Sequence, residues 1–203
     1  MYSITKLFFD FILSFSLLII LLPIVSIISL IIFFKSGSPI FFIQKRIGKN
    51  GKSFKMIKLR TMTVGPSLSA ENDEKRITNL GRFLRKTSID EIPVLLNVLK
   101  GEMSLVGPRP MPVKYLTRFN DFQIIRLKTR PGITGLAQIN GRNNLSWEER
   151  FNLDVEYVKT RSFKLDINIL FKTVFVVIKQ SGVNAKNSEI MPEFFGNKND
   201  NNE

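Results

Sequence analysis

The chain has 203 residues, 44% of them apolar, enough for one compact unit with appendages and short for two domains. It contains no Cys and no His, which excludes a Cys-His nucleophile, a Ser-His-Asp triad and ordinary zinc sites, and leaves disulfides out of the argument. Its 30 Lys and Arg against 17 Asp and Glu give a net charge of +13, so the partner is anionic: a nucleic acid, an acidic membrane surface or a phosphorylated substrate.

The first 34 residues are almost wholly apolar, and Phe11 to Phe34 carries no charge. As a helix that run would extend about 36 Å, enough to cross a hydrocarbon core of about 30 Å. It is too long for a signal-peptide core, Asp10 stands where a basic leader should end, and "FFKSGSP" is a poor cleavage site, so it is expected to stay in the mature protein. Pro23 would delete a mid-helix hydrogen bond and break the segment into two short arms. Ser26 and Ser29 on the second arm could help satisfy the freed backbone groups. Two topologies are open: a tilted span, or a helix-break-helix that enters and leaves by one face.

From Lys35 to Met62 the chain carries Lys35, Lys45, Arg46, Lys49, Lys52, Lys55, Lys58 and Arg60 and no acid. A polybasic block beside an apolar segment belongs at a cytoplasmic leaflet, and this placement disfavours nucleic acid as the partner. Within it, two β-compatible runs flank Asn50-Gly51, a pair that tolerates positive φ, which predicts a hairpin near the membrane. Val64 to Lys75 reads as loop. Apolar positions at helical spacing from Thr78 to Gly101, interrupted at Thr87 to Pro93, predict two helices with a junction. A third helix is expected from about Pro112 to Lys128, and a fourth after "SWEE", where Ser146 and Glu149 form a capping box. Phe163 to Lys179 is a core helix or an amphipathic interfacial one. After Asn184 the chain is polar and aperiodic, a flexible tail able to dock only through Met191, Phe194 and Phe195. The fold class is therefore mainly α with a small β-hairpin (α+β): residues 1–36 as membrane anchor, 37–182 as catalytic domain, and 183–203 as tail.

With His and Cys absent, chemistry falls to carboxylates, hydroxyls, Lys, Arg or a hard cation. Asp90 and Glu91 are adjacent carboxylates in a basic, Gly- and Pro-rich stretch, at the junction where a helix begins. A helix N-terminus keeps a carboxylate ionised and welcomes phosphate oxygens, and an ionised carboxylate can attack phosphorus. The competing reading is a capping box, "SIDE", with Ser88 as cap and Glu91 reaching back; Pro93 inside the first turns argues against its simplest version. Phosphoryl transfer needs clustered cations, and Arg60, Arg85, Arg109, Arg130 and Arg142 are the candidates, three of them in the stiff turns "GPRP", "TRPG" and "NGR". Magnesium, which takes one or two carboxylates plus substrate phosphates, fits such a site. No Rossmann or P-loop glycine pattern occurs.

"SIDEIPVLLNVLKGEMSLVGPRP", preceded by "KLRTM" and followed by "RPGITGLAQINGR", resembles the bacterial sugar transferase family, small monotopic phosphoglycosyl transferases, from about Lys6 to Gly182. The resemblance implies Asp90 as nucleophile and Glu91 beside it as magnesium partner. Arg85 and Arg109 would contact substrate phosphates, with Lys58, Arg60 and Arg130 near the nucleotide sugar. It also implies a UDP-sugar donor, a polyprenyl phosphate acceptor and release of UMP, on the cytoplasmic face of the bacterial inner membrane. The family anchors by a re-entrant helix broken at a Ser-Pro step; here the pair is Leu22-Pro23, and re-entry with a break at Pro23 is the expectation. The rival from another class is a non-catalytic module that docks on anionic lipids.

Overall fold

The computed structural model describes residues 2–65, 70–179 and 193–196. Its long apolar run forms one helix, α1 (Tyr2–Ser36), the one helix among the described residues long and apolar enough to cross a membrane by length and composition. The break expected at Pro23 does not occur: the backbone stays helical with Pro23 inside. Proline's fixed φ suits a helix, so what it forfeits is one hydrogen bond and some steric comfort, and α1 is held on both sides of it. Before Pro23, Phe9, Leu13 and Leu17 pack against Leu95, Leu105, Val106, Tyr157 and Ile169. Beyond it, Val25, Ile28 and Ile32 pack with Leu59 and Leu84.

Polar bonds fasten both ends of α1 to the rest of the chain. Asp166 accepts from Lys6 Nζ at 2.7 Å, Tyr2 Oη at 2.8 Å and Tyr157 Oη at 2.7 Å, while Ser104 Oγ donates to Asp10 at 2.7 Å. At the other end Arg60 donates to the carbonyls of Ser36 and Gly37 at 2.7 and 2.6 Å. Buried charges are tolerable only with such partners, so these bonds hold the helix against the domain along its length.

Strands β1 (Phe41–Ile47) and β2 (Ser53–Leu59) form the expected antiparallel hairpin, from Phe41 opposite Leu59 to Ile47 opposite Ser53. Asn50 and Gly51 turn it at φ 55° and 78°. The stretch expected as loop holds a short helix, α2 (Ala70–Lys75), with residues 66–69 outside the described set. Next come α3 (Asn79–Thr87), a 3-10 turn over Ile89–Val94 and α4 (Leu95–Leu99), the expected pair of helices with a junction. The single helix expected from Pro112 to Lys128 is instead three short pieces: a 3-10 stretch Val113–Arg118, α5 (Asp121–Ile124) and a 3-10 stretch Ile125–Lys128. Phe119 is extended at ψ 135°, and Asn120 restarts the chain with its own capping box to Gln123, a local signal that overrides the longer periodicity.

A second sheet was not legible from pattern. Strands β3 (Ser104–Val106) and β4 (Gly132–Thr134) pair in parallel, each only three residues long. α6 (Leu136–Ile139) leads to α7 (Trp147–Thr160), which opens on the expected Ser146–Glu149 capping box, and to α8 (Phe163–Ile178), capped by Ser162. α8 is two-faced: Asp166 and Ile169 are buried, whereas Phe171, Val174, Phe175 and Ile178 are exposed. Of the tail, Met191 lies outside the described residues. Phe194 is buried among Tyr115, Phe119, Trp147 and Phe151, with Glu193 paired to Lys114 and Arg118, while Phe195 is exposed. The fold is mainly helical with two small sheets.

Candidate active site

Three chain segments meet at one carboxylate. β2 brings Lys58, the 3-10 turn brings Glu91, and the Gly107–Pro110 loop after β3 brings Arg109. Glu91 Oε1 accepts from Lys58 Nζ at 2.6 Å and from Arg109 Nη2 at 2.8 Å. These residues line a small cleft with Arg46, floored by Met56, Val94 and Met103. The capping-box reading of "SIDE" is overturned: Ser88 sits in the left-handed region at φ 57° and its side chain does not cap the turn, while the Glu91 side chain faces the two cations.

The supports are partly residues that pattern did not single out. Asn97, fully buried, donates to Lys55 O at 2.8 Å and to Glu102 Oε2 at 2.7 Å, tying α4 to β2 close to Lys58. Arg126 donates to Arg109 O at 2.7 Å and to Asp154 Oδ2 at 2.7 Å, which fixes the backbone beneath Arg109. The glycines of "GPRP" and "RPGITG" have a steric reason: a Cβ on Gly132 would lie 2.1 Å from Gly107 N, so the two loops approach more closely than any side chain allows. Nothing short of contact information marks Asn97 or Arg126. Arg46 was visible only as one charge in a basic block.

Asp90 is 7% exposed and its carboxylate has no hydrogen bond among the described residues; it lies in the field of Lys58, Arg85 and Arg109. The two neighbouring acids are driven apart. Burial pushes Asp90 up from 3.8 to about 6, against the pull of Lys58 and the other cations, with the Glu91 charge adding to the rise. Glu91 is half-buried, and the charges of Arg109 and Lys58 and their hydrogen bonds outweigh its desolvation and hold it well below the usual carboxylate range. The helix-terminus expectation of an Asp90 favoured in its ionised form is thus reversed in direction, because desolvation outweighs it.

The other predicted residues divide. Arg85 joins the site from the last turn of α3, its Nε donating to Thr61 Oγ1 at 3.0 Å. Arg60 does not: its guanidinium is turned onto the end of α1. Arg130 is half-buried before β4, and no hydrogen bond or ion pair of its side chain reaches the dyad among the described residues. Arg142 opens a 3-10 turn, Arg142–Asn144, and its side chain lies outside the described residues.

Among the described residues no group of three or more acids, Cys or His could hold a metal. What Asp90 and Glu91 offer a hard cation is one uncommitted carboxylate and the second oxygen of a committed one. That meets magnesium's habit of taking few protein ligands and completing its shell from substrate phosphates.

The profile of the family described as "Bacterial sugar transferase" matches residues 1–180. The chain belongs to the bacterial sugar transferase family. An uncharacterized sugar transferase of Bacillus subtilis is 50% identical over 164 residues, 80% of this chain and 81% of that protein. An exopolysaccharide production protein of Sinorhizobium fredii is 37% identical and covers 89% of this chain and 88% of its own. The undecaprenyl-phosphate galactose phosphotransferase of Salmonella typhimurium is 39% identical over 196 residues, 86% of this chain but only 40% of that longer protein. The sugar transferase family thus includes proteins of about this chain's length and others more than twice as long.

The Asp90 environment carries a stability cost with a definite pH signature. Folding raises its pKa from 3.8 to about 6, so the folded state is favoured relative to neutral conditions below about pH 4 and loses that advantage as pH rises through 6. With divalent ions chelated, Asp90→Asn is expected to stabilise the folded protein at pH 8 by about 3 kcal/mol and to have little effect near pH 4. Denaturant unfolding at both pH values measures this; equal stability at pH 8 would mean that the cations compensate the burial.

Proposed function

We propose that the chain transfers a sugar-1-phosphate from a UDP-sugar to undecaprenyl phosphate, at the cytoplasmic face of the bacterial inner membrane, to start a surface glycan. In the first step an Asp90 carboxylate oxygen attacks the sugar-bearing phosphorus. The bridging P–O bond breaks, its electron pair leaves with UMP, and a phosphosugar-aspartate remains. In the second step a phosphate oxygen of the polyprenyl carrier attacks the same phosphorus, and the Asp90 carboxylate is regenerated. Lys58, Arg85 and Arg109 bind and offset the phosphate charge. Asp90 and Glu91 would hold magnesium, which when bound neutralises charge on the substrate phosphates.

The observation that carries this reading is the Asp90 carboxylate, buried without a hydrogen bond and ringed by three cations. Ground-state stability gains nothing from such a group, whereas a nucleophile must be uncommitted. A module that only docks on anionic lipids would expose its cations and would not need this acid. Relatives named for undecaprenyl-phosphate transfer, in Salmonella typhimurium and Klebsiella pneumoniae, support the choice of substrates.

Asp90→Asn is expected to abolish UMP release while the protein remains membrane-bound, and incubation of the wild type with labelled UDP-sugar alone should label Asp90. Label on another residue, or near-normal turnover by the variant, would sink the assignment. Glu91→Gln is expected to lose most activity and to need more magnesium for what remains. Unchanged magnesium dependence would reduce Glu91 to an anchor for Lys58 and Arg109.

For the anchor we propose that α1, unbroken, lies within the cytoplasmic leaflet without crossing it, with both ends at the cytoplasmic face. Its first turns are bonded to α8 and its last to Arg60, just past β2, so both ends stay beside one domain. The chain lacks Cys, and single cysteines at Ser3 and Ser36 should both resist an impermeant thiol reagent on spheroplasts. Labelling at Ser3 alone would establish a span.

A further inference from the structure

Arg46 stands on the inner face of the hairpin. The cross-strand pairs Phe42–Lys58, Gln44–Met56 and Arg46–Phe54 set Lys58 and Arg46 at opposite ends of that face, roughly 13 Å apart along the strand. Both reach the cleft that holds Glu91 and Arg109. Lys58 has Glu91 as its counter-charge, and so does Arg109. Arg46 has none bonded to it: Nη2 donates to the neutral amide of Gln44 at 2.5 Å, and Nε is buried with no acceptor.

This is a poor arrangement for an empty protein. A buried donor left unsatisfied costs stability with nothing in return, and the like charge of Arg109 is close. Burial and that repulsion push Arg46 down to about 10, which leaves it cationic at neutral pH. The side chain is not on a loose loop, because Arg46 pairs by a β-bridge with Pro112, just past Arg109. Three cations therefore face one carboxylate in the cleft, and the donor without an acceptor is the one on Arg46. On the hairpin Arg46 stands four positions along the inner face from Lys58, at the end of the cleft away from the strand position that meets Glu91.

We propose that Arg46 binds the nucleoside-bearing phosphate of the UDP-sugar, the one that departs as UMP. This rests on the reaction proposed above. As Asp90 forms its bond to the sugar-bearing phosphorus and the bridging P–O bond breaks, the electron pair moves onto the departing UMP phosphate. Arg46 supplies an N–H donor there while Arg109 lies between the two phosphates. The guanidinium matches this task because it remains charged and bonds two oxygens in one plane.

The test compares wild type, Arg46→Gln and Arg46→Lys in detergent or nanodiscs. For Arg46→Gln, kcat/KM for UDP-sugar and equilibrium affinity for UMP should each fall by on the order of 10- to 100-fold, the loss of one charged hydrogen-bonding group. KM for polyprenyl phosphate should not change, and Arg46→Lys should recover part of the loss. If UMP affinity is unchanged in folded Arg46→Gln, or if only the KM for polyprenyl phosphate rises, the assignment is wrong. If Arg46→Gln does not fold, Arg46→Lys decides by the same readouts. Inorganic pyrophosphate serves as a probe that assumes no reaction. Pyrophosphate binding that depends on Arg46 in a wild type that releases no UMP from any UDP-sugar would keep the anion site and overturn the transferase reading. A wild type that binds neither UMP nor pyrophosphate would overturn both.

Discussion

The Oε1 atom of Glu91 accepts from both Lys58 and Arg109, and the site can be traced outward from that shared oxygen. Lys58 belongs to a hairpin, Glu91 to a 3-10 turn and Arg109 to a loop after β3, so one half-buried carboxylate joins segments distant in sequence. Each arm needs its own support. Asn97 ties α4 to β2 near Lys58, Arg126 holds the Arg109 carbonyl, and the bare approach of Gly107 to Gly132 lets the two loops close.

That triad leaves Asp90 in an opposite condition from its neighbour. Glu91 has two charge-assisted hydrogen bonds on one oxygen and a strongly depressed pKa; Asp90 has burial without a hydrogen bond and a pKa pushed up to about 6. Two acids adjacent in sequence are suited to different tasks by surroundings alone. The one with satisfied charge organises cations, and the one without is available to react. At neutral pH an acid near 6 is still mostly ionised, so the raised pKa does not disarm Asp90, and it makes the carboxylate more basic than an ordinary one.

Local chemistry was legible wherever a residue acts on its own neighbours. Asn50-Gly51 turns the hairpin, Ser146 and Glu149 cap α7, and the interruption at Thr87 to Pro93 separates α3 from α4. Long-range events outvoted pattern elsewhere. A proline in an apolar helix reads as a break, yet packing on both sides of Pro23 keeps α1 helical. Strands of three residues, β3 and β4, carry too little periodicity to be seen. In the site, motif resemblance singled out Lys58, Glu91 and Arg109, which meet. It also singled out Arg60, which does not join them, because a motif records which residues occur together and not which way each points.

Arg60 shows what that misplacement is for. Its guanidinium holds the carbonyls of Ser36, the last residue of α1, and of Gly37 after it, and it lies two residues beyond Lys58, just past the end of the strand that presents Lys58 to Glu91. The long apolar helix α1 and the charged cleft are thereby joined through the end of β2 and the residue after it. The other end of α1 is held as firmly, by Lys6, Tyr2 and Tyr157 converging on Asp166, and α8 carries Asp166 on one face and an exposed apolar row of Phe171, Val174, Phe175 and Ile178 on the other. A lipid-borne phosphate can move only within the headgroup layer, so a site that serves it must be held at that depth. On the proposed reading, α1 and the apolar row of α8, bonded to each other, would set that depth, and Arg60 would link α1 to the end of the strand on which Lys58 stands.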